Sequence, residues 1–339
     1  MQSLNIINGV ARIARIARTA KTAKTAKIET FNSGDLTILV LAATEMEITP
    51  LLKQSTILSN IVSKSGKKIV VAKFLNTVFT LIITGIGVIN TAHALTVAIE
   101  TVTPDIIIQV GIGGAFEEAG VFVGDIAVAE SETYIHTGVE AFSSYNFSYN
   151  FSYNSSYKPS YNPLYKNKEN YSEKEDSYFL KSSYPHHPLP FDLLENHPRT
   201  REGLFYLNMD HCKEISEIIN KQKQKQKQNQ KQKQKQKNYN HNKNIQEDFN
   251  VISGKFITVS TITSTISRSR ALFSAFSPCI ESMEGAAAAH VATIYNLPLI
   301  EIRAASNLVG VRDKSRWNIP LAVERLFFAI TALFSLLKN

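Results

Sequence analysis

The 339 residues suffice for one large domain or two small ones. Fourteen of the positive charges lie in two low-complexity runs, and removing them from the formal net charge of +8 leaves −6 for the rest of the chain. A core that binds nucleic acid is therefore not supported. The two cysteines give neither a disulfide framework nor a metal-ligand spacing, so we expect no metal and a reducing, cytoplasmic location.

Residues 1–33 form a basic low-complexity extension, for which we predict disorder. Its three-residue repeat of Ala with Arg or Lys drifts around a 3.6-residue helix, and it lacks the apolar region and cleavage site of a secretory signal. No apolar run reaches the roughly 18 uninterrupted residues of a membrane span. The nearest, Leu321–Leu337, is interrupted by Glu324 and Arg325, so we expect no membrane partner.

From residue 34 onward, short β-branched runs alternate with helical stretches, which predicts an α/β fold with a mixed sheet. The predicted strands are Leu36–Ala42, Val78–Thr84, Asp105–Val110, Asp125–Ala129, Lys255–Ser260 and Pro298–Ala304. The predicted helices are Asn90–Thr101, Glu284–Tyr295 and Pro320–Leu337. We assign residues 34–142 and 249–339 to a single domain.

Residues 143–248 interrupt that pattern with a Tyr/Ser/Asn-rich repeat, a polar mixed stretch and a Lys/Gln-rich run. Such composition buries too little apolar surface to offset the entropy lost on ordering. We interpret the segment as a low-complexity insertion within the domain. A short island at residues 190–212 is more apolar and is a candidate for packing back on the core.

Four short motifs stand at or near predicted strand ends, where α/β sheets place their sites. They are A-T-E-M-E-I at Ala43–Ile48, G-I-G-G-A-F at Gly111–Phe116, E-S-M-E-G-A-A at Glu281–Ala287 and R-A-A-S-N at Arg303–Asn307. Together and in this order they resemble the methylthioadenosine/S-adenosylhomocysteine nucleosidase and futalosine hydrolase branch of the purine-nucleoside phosphorylase-like superfamily. The resemblance covers about residues 34–140 and 251–338, and it implies a three-layer α/β/α fold with a central mixed, twisted sheet.

The resemblance also implies site residues. Glu47 matches the family's water-activating glutamate, and Glu284 matches its ribose-binding glutamate, whose carboxylate can accept from two vicinal hydroxyls. Met283 would supply an apolar wall against the sugar. Hydrolases acting on adenine nucleosides usually have Glu-Met-Glu here, whereas this chain has Ser282 at the first position. Without the family context, both glutamates would be interpreted as ordinary acids at helix starts.

Asn307 occupies the position at which the adenine-nucleoside hydrolases carry a general-acid aspartate. An amide can donate its NH₂ group to a 6-keto oxygen while its carbonyl accepts the proton gained at N7, which suits hypoxanthine. The structural alternative is an amide that caps a loop. We therefore expect a 6-oxopurine leaving group.

The remaining assignments concern the pocket walls and the nucleophile. Gly113 and Gly114 would allow close backbone approach to the ligand, and Thr261, Ile262 and Thr263 resemble the segment that lines the purine pocket. Arg312 or Lys314 could bind an aryl carboxylate on the 5′ side of the nucleoside, or Arg312 could form a plain surface ion pair with Asp313. Because no cation precedes the turn at Gly111 and acids occupy Ala43–Ile48, water is favoured over phosphate as the nucleophile.

The sequence thus predicts hydrolysis of futalosine to hypoxanthine and dehypoxanthine futalosine, as in the futalosine route to menaquinone, with no cofactor. Relatives of this fold assemble as oligomers, so a homo-oligomer is expected by resemblance. Two alternatives stay open: a methylthioadenosine/S-adenosylhomocysteine nucleosidase of the same fold, and a catalytically silent nucleoside-binding or interaction protein that uses the repeats.

Overall fold

A computed structural model describes residues 36–138, 189, 191–195, 197–236 and 248–335. The predicted extension at residues 1–33 and the Tyr/Ser/Asn-rich repeat lie outside the described residues. The strands within these ranges are β1 Ile38–Ala42, β2 Thr56–Val62, β3 Lys68–Phe74, β4 Thr77–Ile83, β5 Ile106–Ala115, β6 Ile126–Tyr134, β7 Leu204–Tyr206, β8 Val251–Thr258, β9 Ile280–Ser282 and β10 Leu299–Leu308. The α-helices are α1 Glu45–Gln54, α2 Val88–Val102, α3 Met209–Gln236, α4 Ile266–Phe276, α5 Gly285–Ile294 and α6 Ile319–Phe334.

The described strands form one ten-stranded mixed sheet, and part of it closes on itself. Strand β5 pairs with β1 and β10 in parallel and with β9 in antiparallel fashion. From β9 the pairing continues through β8 and β6 back to β10, so five strands make a ring. On the other side of β5, the sheet extends through β1 and β4 to an antiparallel edge of β3 and β2.

Helices cover both faces of the sheet, which explains why the central strands are continuous apolar runs. All five residues of β1 are buried. Its residues alternate between two cores, since Val40 packs in a cluster with Leu326 of α6, whereas Leu41 packs with Ala94 of α2 and Ala288 of α5. The predicted three-layer α/β fold with a central mixed sheet is confirmed.

One side of helix α6 packs against the core. The segment Lys314–Phe334 is long and apolar enough to cross a membrane by length and composition. A core helix of a globular domain meets the same criterion, and here Leu326 and Ile330 are fully buried against the sheet. Arg325, which interrupts the apolar run, is also buried and stacks 4.5 Å from the ring centroid of Phe249.

The described part of the predicted insertion contributes to the domain, which corrects its extent. Strand β7, at Leu204–Tyr206, pairs with β6. Helix α3 then continues well past residue 212. Its first turns bury Cys212, Ile215, Ile218 and Ile219 in the same cluster as α6. The interval 143–248 is therefore too wide for the insertion, because apolar spacing of three and four residues precedes the Lys/Gln run.

Candidate active site

Glu47 begins the site from the first turn of α1, directly after β1. Its Oε2 accepts hydrogen bonds from the backbone N–H and the hydroxyl of Thr44, at 2.8 and 3.0 Å. Its Oε1 accepts from the backbone N–H of Ile112 on β5, at 2.9 Å. Glu47 thus caps the start of α1, as an ordinary acid at a helix start would. It is also only 4% exposed and reaches the glycine-rich end of β5.

Arg303 on β10 is the largest fully buried side chain of the described residues, and it occupies the centre of the site. Its Nε donates to Glu301 at 2.9 Å, and its Nη1 donates to Glu284 at 3.2 Å and to the carbonyl of Ile112 at 3.3 Å. Burial alone would lower the pKa of Arg303. The neighbouring carboxylates, Glu301 foremost, outweigh burial and raise that pKa above its ordinary value.

Glu284 joins the same guanidinium from the start of α5. It is buried, its Oε2 accepts from Arg303, and its Oε1 accepts from the backbone N–H of Gly87 at 3.0 Å. Gly87 precedes α2 with a φ of 93°, a conformation that favours glycine, and this turn is what presents its N–H to the carboxylate. The turn at Gly85–Gly87, after β4, therefore contributes to the site by holding the carboxylate of Glu284.

Gly111 allows Glu47 and Arg303 to meet. A side-chain carbon at this position would overlap the guanidinium and would lie 2.9 Å from Glu47 Oε1. No cation precedes Gly111 in the sequence, but the structure places the guanidinium of Arg303, from the neighbouring strand β10, beside this glycine. The cluster nevertheless holds three acids, Glu47, Glu284 and Glu301, against one buried arginine.

A further buried acid, Glu132, lies next to Glu301 of this cluster. Glu132 on β6 is fully buried and accepts from Thr258 at 2.8 Å. Burial, followed by the charge of Glu301, raises the pKa of Glu132 well above its ordinary value. Burial also raises the pKa of Glu301, but the charge and hydrogen bond of Arg303 act against that rise. Glu132 is therefore the acid of the pair that favours the protonated form. Both carboxyl groups crowd the Cα of Gly285, where a side-chain carbon would lie 2.6 Å from Glu301 Oε2.

Asn307 lies at the end of β10, four residues after Arg303, and is half-buried. Its Oδ1 accepts from the hydroxyl of Ser306 at 2.8 Å, and its Nδ2 donates to the carbonyl of Leu308 at 3.1 Å. One amide N–H and one lone pair of Oδ1 are left for another partner. Pairing of Asn307 with Gly114 puts it three residues along β5 from the Gly111 position, which is about 10 Å at ~3.3 Å per residue.

The other predicted pocket residues surround these two groups. Gly113 and Gly114 both face side chains from neighbouring strands, and the carbonyl of Gly113 accepts from Ser306 at 3.1 Å. Ser282 is buried on β9, and its hydroxyl accepts from the N–H of Gly285 at 3.4 Å. Met283 packs on the cluster that contains Phe116 and Val309.

The remaining predicted pocket residues differ in their exposure to solvent. Thr261 and Ile262 are exposed, whereas Thr263 is buried and its N–H donates to Glu281 at 3.0 Å. Arg312 is exposed, and its guanidinium carbon lies 5.2 Å from the ring centroid of Trp317, in cation–π range. Asp313 caps the following turn by accepting from Ser315.

Four buried charged residues at the site were not predicted from the sequence: Glu132, Glu281, Glu301 and Arg303. A signal was present for two of them, since Glu301 and Arg303 alternate with apolar residues in β10, whose first eight residues are all buried. Among the residues that the structure describes, no group of three or more His, Cys, Asp or Glu side chains is arranged to hold a metal ion.

Comparison with known proteins gives a family and a fold. The sequence model of the family described as Phosphorylase superfamily matches residues 37–193 and 212–335. Futalosine hydrolase of Streptomyces coelicolor is 36% identical over 87 residues, which are 25% of this chain and 37% of that protein. Futalosine hydrolase of Acidothermus cellulolyticus is 37% identical over 83 residues, or 24% of this chain and 34% of that protein. The alignments thus span only about a third of each curated relative.

Solved structures match over almost the whole chain at low identity. A 5′-methylthioadenosine/S-adenosylhomocysteine nucleosidase from Colwellia psychrerythraea, in complex with adenine, superposes with a TM-score of 0.59 and 15% identity, covering 89% of this chain and 96% of that one. An S-adenosylhomocysteine nucleosidase from Streptococcus pyogenes gives a TM-score of 0.57 and 16% identity, covering 91% and 99%. At this identity the likeness concerns the fold alone.

Proposed function

This chain belongs to the phosphorylase superfamily, and from that premise we propose that it is a nucleosidase that hydrolyses the N-glycosidic bond of futalosine, releasing hypoxanthine and dehypoxanthine futalosine. The observation that carries the proposal is the meeting of Glu47 and Glu284 at the guanidinium of Arg303. The similarity to two futalosine hydrolases supports the choice of substrate. The place of the reaction would be menaquinone biosynthesis by the futalosine route.

In the proposed reaction, Glu47 orients a water molecule and accepts its proton as the water attacks the anomeric carbon. Glu284 accepts hydrogen bonds from the 2′ and 3′ hydroxyls of the ribose. The negative charge of both groups favours the oxocarbenium-like sugar that develops as the bond to the base lengthens. Arg303 is a positioning residue, because its hydrogen bonds hold Glu284 in place and its guanidinium lies beside Glu47.

Charge favours water over phosphate as the nucleophile. Phosphate binding requires donors and positive charge that are free to engage its oxygens. At this site the guanidinium of Arg303 already has Glu301 and Glu284 as partners, and the acids outnumber it. A phosphate placed next to Glu47 would be repelled, whereas a neutral water can use the carboxylate as an acceptor.

The leaving group is proposed to be stabilised by Asn307 rather than by an acid. Its free N–H donates a hydrogen bond to the 6-keto oxygen of hypoxanthine, and its Oδ1 accepts a hydrogen bond from N7–H after the departing base takes up a proton from water. Ser306 holds the amide by donating to Oδ1. No cofactor takes part in this scheme, since water is the nucleophile and hydrogen bonding stabilises the departing base.

The pocket walls follow from the same placement. Met283 packs against the sugar and Ser282 supports the start of α5. The expected approach of the ligand to Gly113 and Gly114 is not retained, because the side chains of Ile280 and Val309 fill the space beside these glycines. Thr261, Ile262 and Thr263 line the purine side. Arg312, stacked on Trp317, is proposed to bind the aryl carboxylate at the 5′ end of futalosine.

We also propose that the chain forms a homo-oligomer in the cytoplasm. Ile86, Ile89 and Met46 are 56%, 83% and 48% exposed, and they flank the turn at Gly87 and the helix start that carries Glu47. A second copy covering these apolar side chains would also shield the site from bulk water. Light scattering of the wild type against Ile89→Asp tests this, and a monomeric wild type would contradict it.

The decisive experiment measures free base released from futalosine, aminofutalosine, inosine and methylthioadenosine, each with and without phosphate. We expect phosphate-independent release of hypoxanthine from futalosine, and an Asn307→Asp variant whose preference moves toward adenine nucleosides. Cleavage of the adenine substrates by the wild type would instead favour a methylthioadenosine/S-adenosylhomocysteine nucleosidase. Cleavage of none of the four would favour a catalytically silent binding protein.

A further inference from the structure

Glu132 on β6 is a fully buried acid that the proposed reaction does not use. Its Oε1 is shielded from solvent and meets no donor among the described residues. Glu301 on β10 is equally buried, and its Oε2 also meets no donor there. A carboxylate oxygen that is buried without a donor costs free energy, so each of these two oxygens requires a partner.

The two unpaired oxygens converge on the same point. A side-chain carbon on Gly285 would overlap Oε1 of Glu132 and would lie 2.6 Å from Oε2 of Glu301. The two carboxyl groups are also within hydrogen-bonding reach of each other. Two acceptors in this position repel each other unless a proton lies between them, and a single proton satisfies both.

The other oxygen of each acid shows where that proton lies. The hydroxyl of Thr258 accepts from the backbone N–H of Ala286 at 2.8 Å and donates to Oε2 of Glu132 at 2.8 Å. Oε2 of Glu132 is therefore an acceptor. Oε1 of Glu301 is an acceptor as well, because Nε of Arg303 donates to it at 2.9 Å. The proton of the pair accordingly lies between Oε1 of Glu132 and Oε2 of Glu301.

With this proton, the hydrogen bonds form a continuous chain that begins and ends at the start of α5. Its members, in order, are Ala286, Thr258, Glu132, Glu301, Arg303 and Glu284. The last of them is the carboxylate that we assign to the ribose hydroxyls. We propose that Glu132 is a positioning residue that donates this proton to Glu301 and thereby, through Arg303, holds Glu284 in the orientation that binds the ribose. This inference rests on the proposed nucleosidase function.

The charges around the pair favour a proton on Glu132. Burial and then the charge of Glu301 raise the pKa of Glu132, whereas the hydrogen bond from Thr258 and the charge of Arg303 act against that rise. The charge of Arg303 also favours the ionised form of Glu301. A neutral Glu132 thus leaves Arg303 with one full negative charge at Nε. A second ionised acid at this place would attract the guanidinium away from Glu284.

The test is a double-mutant cycle of Glu132→Gln, Glu301→Gln and the variant that combines both. A single amide keeps the chain, because its N–H takes the place of the shared proton and the remaining acid keeps the negative charge. Two amides remove that charge and leave Nε of Arg303 without an anionic partner. The control, Glu117→Gln, changes an exposed acid just after β5. Thermal melting shows whether each variant is folded.

Two measurements separate positioning from a purely structural role. Hydrolysis of futalosine gives kcat and KM for each variant. Calorimetry measures binding of inosine and 2′-deoxyinosine, which differ in one hydroxyl that Glu284 is proposed to bind. A general defect of folding would weaken both ligands equally, whereas a misplaced Glu284 would weaken the binding of inosine alone.

We expect each single variant to keep kcat for futalosine within about tenfold of the wild type, the range of one neutral hydrogen bond. The double variant should lose about tenfold or more beyond the product of the two single effects, as contacting groups of one network do. The wild type should prefer inosine to 2′-deoxyinosine, and about tenfold of that preference should be lost in the double variant only. The Glu117→Gln variant should match the wild type throughout.

Infrared spectroscopy tests the proton itself and does not require the double variant to fold. The difference spectrum between the wild type and Glu132→Gln at pH 7 should contain the C=O band of a protonated carboxyl group. Absence of that band would overturn the inference, because the pair would then hold no proton at Glu132.

Failure of the inference is distinguishable from failure of the proposed function. If the wild type hydrolyses futalosine but the two substitutions act additively, Glu132 is only structural and the inference is overturned. A wild type that binds inosine and 2′-deoxyinosine equally, or binds neither, overturns it as well. If no nucleoside is cleaved while the preference for inosine still depends on the pair, the proposed reaction is wrong and the positioning of Glu284 stands.

Discussion

Nη1 of Arg303 lies 3.2 Å from Oε2 of Glu284, and this ion pair is almost wholly shielded from solvent, with side chains 1% and 7% exposed. A buried pair of this kind costs desolvation energy, and the cost is offset only when the remaining donors and acceptors are also used. Here Glu301 and the carbonyl of Ile112 take further donors of Arg303, and Gly87 donates to Glu284, whereas Arg303 Nη2 and Glu301 Oε2 are buried without a hydrogen-bond partner. The pair thus belongs to a network that links β10, β5, α5 and the turn before α2.

Truncation of Arg303 should damage both stability and activity. We expect Arg303→Ala to lower the free energy of unfolding by about 3–5 kcal/mol, because it leaves buried carboxylates without their cation. Arg303→Lys keeps the charge but loses the planar fork, so we expect most of the stability to return while kcat/KM stays about 100-fold below the wild type. Urea unfolding and steady-state rates measure the two effects. Arg316→Ala, at an exposed position, is the control, and a loss in Arg303→Ala no larger than in this control would contradict the network.

Protonation of Glu132 should appear as a dependence of stability on pH. Burial raises the pKa of Glu132 in the folded protein, so the folded state binds more protons than the unfolded state. This contribution is complete below the unfolded pKa of about 4.3 and is lost as the pH rises through the folded pKa. Glu132→Gln keeps a neutral donor and acceptor but removes the titration. We expect the variant to become more stable relative to the wild type as the pH rises.

Urea unfolding of both proteins between pH 5 and pH 9 measures that difference. The control is Glu117→Gln, whose exposed side chain should give a difference that does not change with pH. A constant difference between Glu132→Gln and the wild type would show that the proton is not held at Glu132. A variant that is strongly destabilised at every pH would show that the carboxyl is ionised and that its charge is required.

The sequence pattern predicted six of the ten described strands and missed β2, β3, β7 and β9. All six predicted strands and three predicted helices are present, with ends that differ by a few residues. Strand β2 was missed because its residues are largely exposed and belong to an antiparallel edge, so they lack the apolar run of a central strand. Strands β7 and β9 have three residues each, too few for any periodicity to be visible.

The site was predictable where a side chain belongs to a local motif and unpredictable where it comes from a distant strand. Glu47, Glu284 and Asn307 stand in motifs at strand ends, and the structure brings the first two to the same guanidinium. The cation beside the turn at Gly111 was not predicted, because it is Arg303, nearly 200 residues along the chain. Only strand pairing brings these two residues together, and a single sequence does not contain that information.

The two cysteines should be unreactive in the folded protein. The thiol of Cys212 is buried and donates to the carbonyl of Ala129 at 2.7 Å, and burial raises its pKa to about 12. Cys279 is buried against the carbonyl of Lys255, and burial raises its pKa as well. Since the thiolate is the reactive form, we expect no labelling by a thiol reagent at pH 8 and two labelled thiols in denaturant. Labelling of the native protein at the rate of a free thiol would disprove the assignment.

Helix α3 should contribute to stability although most of its sequence is Lys and Gln. Ile219 is fully buried in the core cluster that also contains Ile330 of α6. We therefore expect Ile219→Ala to cost about 2–4 kcal/mol in urea unfolding, the usual range for removing a buried aliphatic side chain. Lys221→Ala on the same helix removes a 46% exposed side chain whose ion pair with Glu217 is on the surface, so its effect should stay within about 0.5 kcal/mol. Equal effects would mean that α3 does not pack on the core.

Deletions within the interval 143–248 should differ in the same way. We expect a protein that lacks residues 143–188 to fold. A protein that lacks residues 143–248 also loses β7 and α3, and we expect it not to fold.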